Sequence, residues 1–282
     1  MKKTASVAKI ASEVSVATSP SVRDRRQRVQ AAETGMAVLK ALGRLGGRAA
    51  LSVLATAVDE SPAKVHRYLA SLMEEGLVRQ DGASQQYYLG LESMLIGLAA
   101  MRQADPIRLI EPALGRLSET LGVTCFVAVM GNKGPTIVRF EEPGVAVSIN
   151  ARVGSVMPLL SSATGRVFVG LLDQASVKKR VEEERSQMVK HADRKGSVDD
   201  FIGQIRREVQ AQRCAIVTDT NQTGISSVAA PIYDYSGHVA AVLTALGATG
   251  AFNTALDGAI VTEIRREAEA VSAQLGYVAP SA

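Results

Sequence analysis

The stretch Leu51 to Gly76, LSVLATAVDESPAKVHRYLASLMEEG, constrains this chain more than any other. Leu51, Leu54, Ala55 and Val58 recur at helical spacing and predict one apolar face. Asp59 and Glu60 end that run. Ser61 then stands where an N-cap belongs, with Pro62 at the first helical position, so a second helix starts at once. Val65, Leu69, Leu72 and Met73 give this helix a single buried stripe, and Gly76 closes it. The stripe turns Ala63, Lys64, His66 and Arg67 outward. A small residue, two cations and an imidazole at the start of a second helix suit a helix end that enters a DNA major groove. An ordinary helical hairpin in a soluble domain shares the apolar pattern.

The residues after Gly76 favour DNA. Leu77-Val78-Arg79 and Gln86-Tyr87-Tyr88-Leu89 are strand-like and joined by the turn-rich Gln80-Asp81-Gly82-Ala83-Ser84. Two helices and a two-stranded wing make a winged helix-turn-helix. Its expected DNA-contacting set is Ser61, Ala63, Lys64, His66, Arg67 and Arg79.

The segments VLKALGRLG, LSVLATAVDESPAKVHRYLASLMEEGLVRQ and YYLGLE together resemble the DNA-binding domain of IclR-type bacterial transcriptional regulators. Val65, His66, Arg67, Leu69, Leu72, Gly76, Leu77 and Val78 carry that family's pattern, and Tyr88-Leu89-Gly90 its post-wing signature. The family usually has Thr just before the Val, where this chain has Lys64. A longer cation in place of a phosphate-binding hydroxyl implies an altered operator preference.

Charge is uneven along the chain. Residues 1–28 hold seven cations, among them Arg23, Arg25, Arg26 and Arg28, against two carboxylates, so this segment is +5 and leaves the remainder of a +4 chain at −1. We expect residues 1–28 to form a disordered basic arm, either a solvated tail or a source of phosphate and minor-groove contacts. The basic isoelectric point thus belongs to the arm and does not make the whole surface a nucleic-acid face. Cys125 and Cys214 are far apart, and His66, His191 and His238 are scattered, so neither a structural zinc nor another cofactor is expected. No apolar run nears the ~20 residues that span a bilayer. No signal peptide is expected, and the cytoplasm is the expected compartment.

Residues 29–90 are read as the winged helix-turn-helix domain, opened by a helix over Val29–Leu45 with Val38, Leu39, Leu42 and Leu45 on its apolar face. Residues 91–104 are read as a linker helix. Its stripe of Leu91, Met94, Leu95, Leu98 and Met101 either packs on its own domain or pairs with a second copy. Residues 105–279 are read as one α+β domain around an antiparallel sheet. Helices are predicted over Ile107–Leu121, Ala163–Leu172, Val177–Met188, Val198–Gln212 and Leu256–Leu275. Strands are predicted over Thr124–Met130, Thr136–Phe140, Val145–Ala151, Cys214–Thr218, Ile225–Tyr233 and Val239–Leu246. The charged run KKRVEEER reads as a solvated helix face. PLLSSATGRVFVGLL and GISSVAAPIYDYSGHVAAVLTALGA resemble the GAF-like effector-binding domain of the same family. The likeness extends over residues 30–277 and implies an effector-binding and oligomerisation domain.

Pro158 to Arg166 reads as a loop entering a helix, whose free N–H groups attract carboxylates. Ser162 and Thr164 add hydroxyls there, although one of them serving only as an N-cap fits equally. The resemblance implies that this loop binds small organic acids through the backbone donors of Ala163 and Thr164. Counted from Val228-Ala229-Ala230-Pro231, it further implies ligand-facing positions at Val217, Ser227, Thr244 and Leu246. Two hydroxyls with apolar Val217 and Leu246 suit a larger or aromatic carboxylate better than a very small polar one. Arg152 and Arg166 are candidate partners for the carboxylate. Where the family commonly has Gly-Tyr-Ala, this chain has Arg213-Cys214-Ala215, and Cys214 reads as a small buried residue.

The expected partners are double-stranded operator DNA, a small-molecule carboxylate effector and further copies of the chain in a dimer or tetramer, with no membrane. The alternative is an architectural DNA-binding protein whose C-terminal domain only oligomerises. No stretch sets a nucleophile beside a base, and G-x-S-x-G, P-loop, H-E-x-x-H and G-x-G-x-x-G motifs do not occur, so an enzyme is not expected.

Overall fold

The computed structural model describes residues 29–144, 151–188 and 197–279. The basic arm, most of the strand expected over Val145–Ala151, and His191 lie outside the described residues. Contacts divide the chain into an N-terminal unit ending at Ala100 and a C-terminal unit beginning at Met101.

The N-terminal unit holds α1 (Gln30–Arg44), β1 (Arg48–Ala49), α2 (Leu51–Ala57), α3 (Pro62–Glu74), β2 (Val78–Gln80) and β3 (Tyr87–Leu89). Val38 and Leu42 of α1 are fully buried against Leu54, Val65, Leu69 and Tyr87. Leu45 departs from the expected apolar face of α1: it is the C-cap and 41% exposed, because the left-handed Gly46 and Gly47 turn the chain away there. Asp59, at φ +53°, makes the sharp break between α2 and α3. The end of α3 is a Schellman motif, with Leu77 N–H donating to Leu72 O at 2.9 Å and Gly76 N–H to Met73 O at 3.0 Å. Gly90 is required at its place: a Cβ there would lie 2.1 Å from Gly76 O. The wing is a three-stranded antiparallel sheet in the order β1-β3-β2, with Arg48 opposite Tyr88 and Val78 opposite Leu89. Its third strand, β1, was not expected from the sequence.

After α4 (Leu91–Gln103), the C-terminal unit continues through α5 (Pro106–Leu121), β4 (Thr124–Gly131), β5 (Gly134–Glu141), α6 (Ala163–Leu171), α7 (Gln174–Met188) and α8 (Val198–Gln212). It ends with β6 (Ala215–Thr218), β7 (Ile225–Tyr233), β8 (Val239–Ala248) and α9 (Ala259–Gln274). Asp105 caps α5 by accepting from Ile107 N–H at 2.9 Å, and the left-handed Gly122 ends it. The sheet is antiparallel throughout, in the order β5-β4-β8-β7-β6. Both faces are covered, so its strands are apolar on both sides. Cys125, Val127, Leu243 and Val228 meet α5 and α9 on one face. Val242, Ala229 and Val217 meet α6, α7 and α8 on the other, where Phe126, Ala128, Ile137 and Leu246 form a smaller cluster.

Two expectations are corrected. The final helix starts at Ala259 rather than Leu256, because Asn253 Oδ1 accepts from Ala255 N–H at 2.9 Å and Gly258 N–H donates back to Ala255 O, which fixes a turn first. Ala151, the described end of the expected third strand, is not in a strand; the chain after it is tied to β5 by the Thr136–Val156 bridge, by Ile137 N–H donating to Ser155 O at 2.9 Å and by Gly154 N–H donating to Ile137 O at 2.8 Å.

Candidate functional site

Two surfaces carry chemistry, one in each unit. In the N-terminal unit, Ser61 caps α3 by accepting from Lys64 N–H at 3.4 Å. With Val65, Leu69 and Leu72 buried, Ala63, His66 and Arg67 are left exposed along the first turns of α3. Lys64 is half-buried and folds back, its Nζ 2.6 Å from Glu60 Oε1. Arg79 is exposed on β2 beside the buried Val78. The wing loop is internally tied. Asp81 accepts from Ala83 N–H at 3.0 Å and Ser84 Oγ at 2.8 Å and pairs with Arg48. The Ala83 and Ser84 hydrogen bonds hold its carboxyl below the usual aspartate range. Arg48 was not foreseen, because its partner lies 33 residues away in a loop.

In the C-terminal unit, a cavity of about 240 Å³ opens between the start of α6 and the sheet face that carries Phe126. Ser162, Thr164, Val217, Ser227, Thr244 and Leu246 all line it. The sheet register explains how residues so distant in sequence meet. Thr244 lies opposite Phe126 on β4 and Ala229 on β7, and Leu246 lies opposite Ser227, which itself pairs with Val217. Alternation then puts these side chains on one face.

The start of α6 is built from its loop. Ser162 is the N-cap: its Oγ accepts from Gly165 N–H at 2.9 Å and donates to Pro158 O at 2.5 Å. Its hydroxyl is thus committed to the cap. Thr164 Oγ1 lies 2.9 Å from Thr244 Oγ1, both residues being buried. Ala163 is fully buried, and its side chain does not line the cavity. The first N–H groups of the helix, at Ala163 and Thr164, have no intrahelical acceptor and lie at its positive end. Gly165 allows the loop to pass close by, since a Cβ would sit 2.1 Å from Pro158 O.

No charged side chain is among the described residues that line this cavity. Arg152, expected as a carboxylate partner, is exposed and outside it; its backbone N–H donates to Ser155 Oγ at 3.1 Å. Arg166 is turned away from it, two residues and so about 200° around the helix from Thr164. Its Nε donates to Leu160 O at 2.9 Å.

Other contributors were not foreseen. Phe126, Met157, Asn221, Gln222 and Ile225 also line the cavity. Glu184, from the charged helix read as a solvated face, accepts from Leu159 N–H at 2.7 Å and Leu160 N–H at 2.9 Å, which fixes the loop before α6. Phe126 enters through its register opposite Thr244; Asn221, Gln222 and Glu184 carry no local pattern. Among the described residues, no three His, Cys, Asp or Glu side chains gather as a metal site, and no helix is long and apolar enough to cross a membrane.

Residues 31–82 match the family model described as the IclR helix-turn-helix domain, and residues 98–273 match the one described as the bacterial transcriptional regulator IclR C-terminal. The crystal structure of Pseudomonas aeruginosa HmgR is 34% identical, with a TM-score of 0.79 over 88% of this chain and 99% of that one. The glycerol operon regulatory protein of Streptomyces coelicolor is 28% identical over 88% of this chain and 97% of its own length. The transcriptional repressor IclR of Escherichia coli is 24% identical over 63% of this chain and 64% of its own. The chain therefore belongs to the IclR family of DNA-binding bacterial transcriptional regulators.

Proposed function

We propose that this regulator is switched by a small organic carboxylate, with aromatic acids as the preferred class, held in the cavity at the start of α6. The carrying observation is the cavity's composition: hydroxyls of Thr164, Thr244 and Ser227 and a helix N-terminus at one side, and Phe126, Val217 and Leu246 as apolar wall. Helix N–H donors and hydroxyls suit one carboxylate without a fixed counter-cation, and the apolar wall suits a ring. A volume of about 240 Å³ corresponds to roughly eight waters at about 30 Å³ each, the scale of a single-ring acid.

The reading head is assigned to Ser61, Ala63, His66, Arg67 and Arg79, with Lys64 available once released from Glu60. Residues 29–90 serve as the DNA-binding domain, 91–104 as the linker and 105–279 as the effector-binding and oligomerisation domain. Self-association is supported by the linker stripe: Leu91, Met94, Leu95, Leu98 and Met101 are all exposed. Two copies would read the two halves of a palindromic operator. Effector binding then alters operator affinity through a coupling of about 1–3 kcal/mol.

A thermal-shift panel of aliphatic and aromatic carboxylic acids tests this, followed by operator binding with and without each hit. Stabilisation by ring-bearing acids, with a change in operator affinity, is the expected result, since a ligand that binds only the folded state must raise its stability. Silence across the panel would sink the sensor reading and leave the architectural alternative.

A further inference from the structure

A second cavity, of about 460 Å³, lies beside α9 and the far end of β7. β6 pairs with β7 only over Ser226–Ala229, so Ala230–Tyr233 run on beyond it and floor the cavity. One stripe of α9, with Arg265, Ala268, Glu269 and Ser272 at helical spacing, forms a wall. Tyr233 and Tyr277 close one end, their rings stacked at 4.7 Å and 24°.

The charges here are unbalanced. Arg265 is half-buried, and its Nε is buried with no hydrogen-bond partner. No ion pair engages its guanidinium among the described residues. Such a donor is costly to leave unmet. Arg213 reaches the cavity from the end of α8, and its one carboxylate contact among the described residues is Glu269, at 3.4 Å. It does so from a left-handed backbone, φ +54°, that side chains other than glycine's seldom adopt. Two arginines and one carboxylate thus line the cavity, beside an aromatic pair and small apolar residues. Nothing of this kind lines the first cavity.

We propose that this second cavity binds a small aromatic carboxylate, its carboxylate on Arg265 and Arg213 and its ring against the Tyr233–Tyr277 end. Arginine is suited to this task, since its planar fork meets a carboxylate through two parallel hydrogen bonds.

The chain has no Trp and six Tyr, and Tyr233–Tyr277 is the one stacked tyrosine pair among the described residues, so near-ultraviolet circular dichroism reports on the site. Benzoate titrated into the full chain is expected to give a saturable change. Arg265→Gln should weaken it at least tenfold, with partial recovery in Arg265→Lys. Arg213→Gly relieves the left-handed strain, so it should fold at least as stably as wild type and yet bind several-fold more weakly. The Thr164→Val, Ser227→Ala double variant should leave this signal unchanged, which separates the site from the first cavity. Wild-type titration by both Arg265→Gln and Arg213→Gly overturns the proposal. So does loss of the signal in the double variant, or an equally strong response to acetate or inorganic phosphate.

Discussion

Thr164 Oγ1, in the first turn of α6, lies 2.9 Å from Thr244 Oγ1 in the middle of β8, 80 positions further along the chain. This contact ties the helix that opens the first cavity to the sheet behind it. Both residues are almost wholly buried, and among the described residues each hydroxyl has the other as its one partner. Thr164→Val should therefore strand the Thr244 hydroxyl and cost about 1–3 kcal/mol in a urea titration. Replacing both by Val removes both polar groups at matched shape and should cost less than the sum of the single changes. Strict additivity of the two in a double-mutant cycle would count against the contact.

Ser227 stands differently. Its side chain lines the same cavity, and no hydrogen bond engages its hydroxyl among the described residues. Ser227→Ala should leave thermal stability within about 0.5 kcal/mol, as for a site free of packing or network roles. Affinity for the acid found in the panel should fall roughly 10–100-fold, the worth of one hydrogen bond to a charged group. Calorimetry on both proteins reads the two quantities, and an unchanged affinity would remove Ser227 from the binding set.

Glu184 offers a test of how the loop before α6 is held. Its two carboxylate oxygens take consecutive N–H groups, of Leu159 and Leu160. Glu184→Gln keeps one good acceptor and should lose about 1–3 kcal/mol, while Glu184→Ala should lose more. Amide exchange at Leu159 and Leu160 should quicken in both variants; unchanged protection would show that the loop is fixed otherwise.

The legible parts of this chain are those with a repeating local cause. Ser61-Pro62 announces α3 and the capped Asp105-Pro106 announces α5, since cap and first-turn chemistry act within four residues. The strands of the large sheet are short apolar runs between turns, and their type was readable although both faces are buried. β1 has two residues, too few for any period to show. The positions Val217, Ser227, Thr244 and Leu246, placed by family likeness, do line one cavity. Arg152 and Arg166 were misjudged because charge near a helix start says nothing about which way a side chain turns. Glu184 and Asn221 were invisible for a related reason: their roles exist only after distant segments meet.

Cys125 gives a pH test with a definite sign. Burial pushes its thiol up to about 12 from an ordinary value of 9.0. Below about pH 9 both folded and unfolded chains hold the proton, and the group adds no pH dependence. Above that the unfolded chain releases it while the folded chain keeps it, so stability falls as pH rises from about 9 to about 12. The slope is about 1.4 kcal/mol per pH unit. Cys125→Ala lacks this loss. The stability gap between wild type and variant, measured by urea titration, should narrow by about 2 kcal/mol between about pH 8 and pH 10.5. A constant gap would show that the thiol titrates normally in the folded protein. For the same reason iodoacetamide at neutral pH should spare Cys125 until the protein unfolds.

The ion pair between Lys64 and Glu60 bears on DNA affinity rather than on stability. Both side chains are about one-third exposed and stand four residues apart, so the pair contributes only about 0.3–0.5 kcal/mol to folding. Glu60 nevertheless neutralises a cation at the start of the reading helix. Glu60→Gln should free Lys64 for a phosphate, raise operator affinity and steepen the salt dependence by about one charge. Arg67→Ala should act in the opposite sense without unfolding the protein, since the side chain is exposed and α3 is held by Val65, Leu69 and Leu72. If Arg67 reads a base edge, its loss costs about 1–3 kcal/mol and relaxes sequence preference at one position; if it holds a phosphate, binding weakens uniformly and the salt slope drops by about one. Operator titrations at several salt concentrations, on matched and single-base-changed sites, distinguish the two. Wild-type binding by both Arg67→Ala and Lys64→Ala would mean that α3 is not the reading helix.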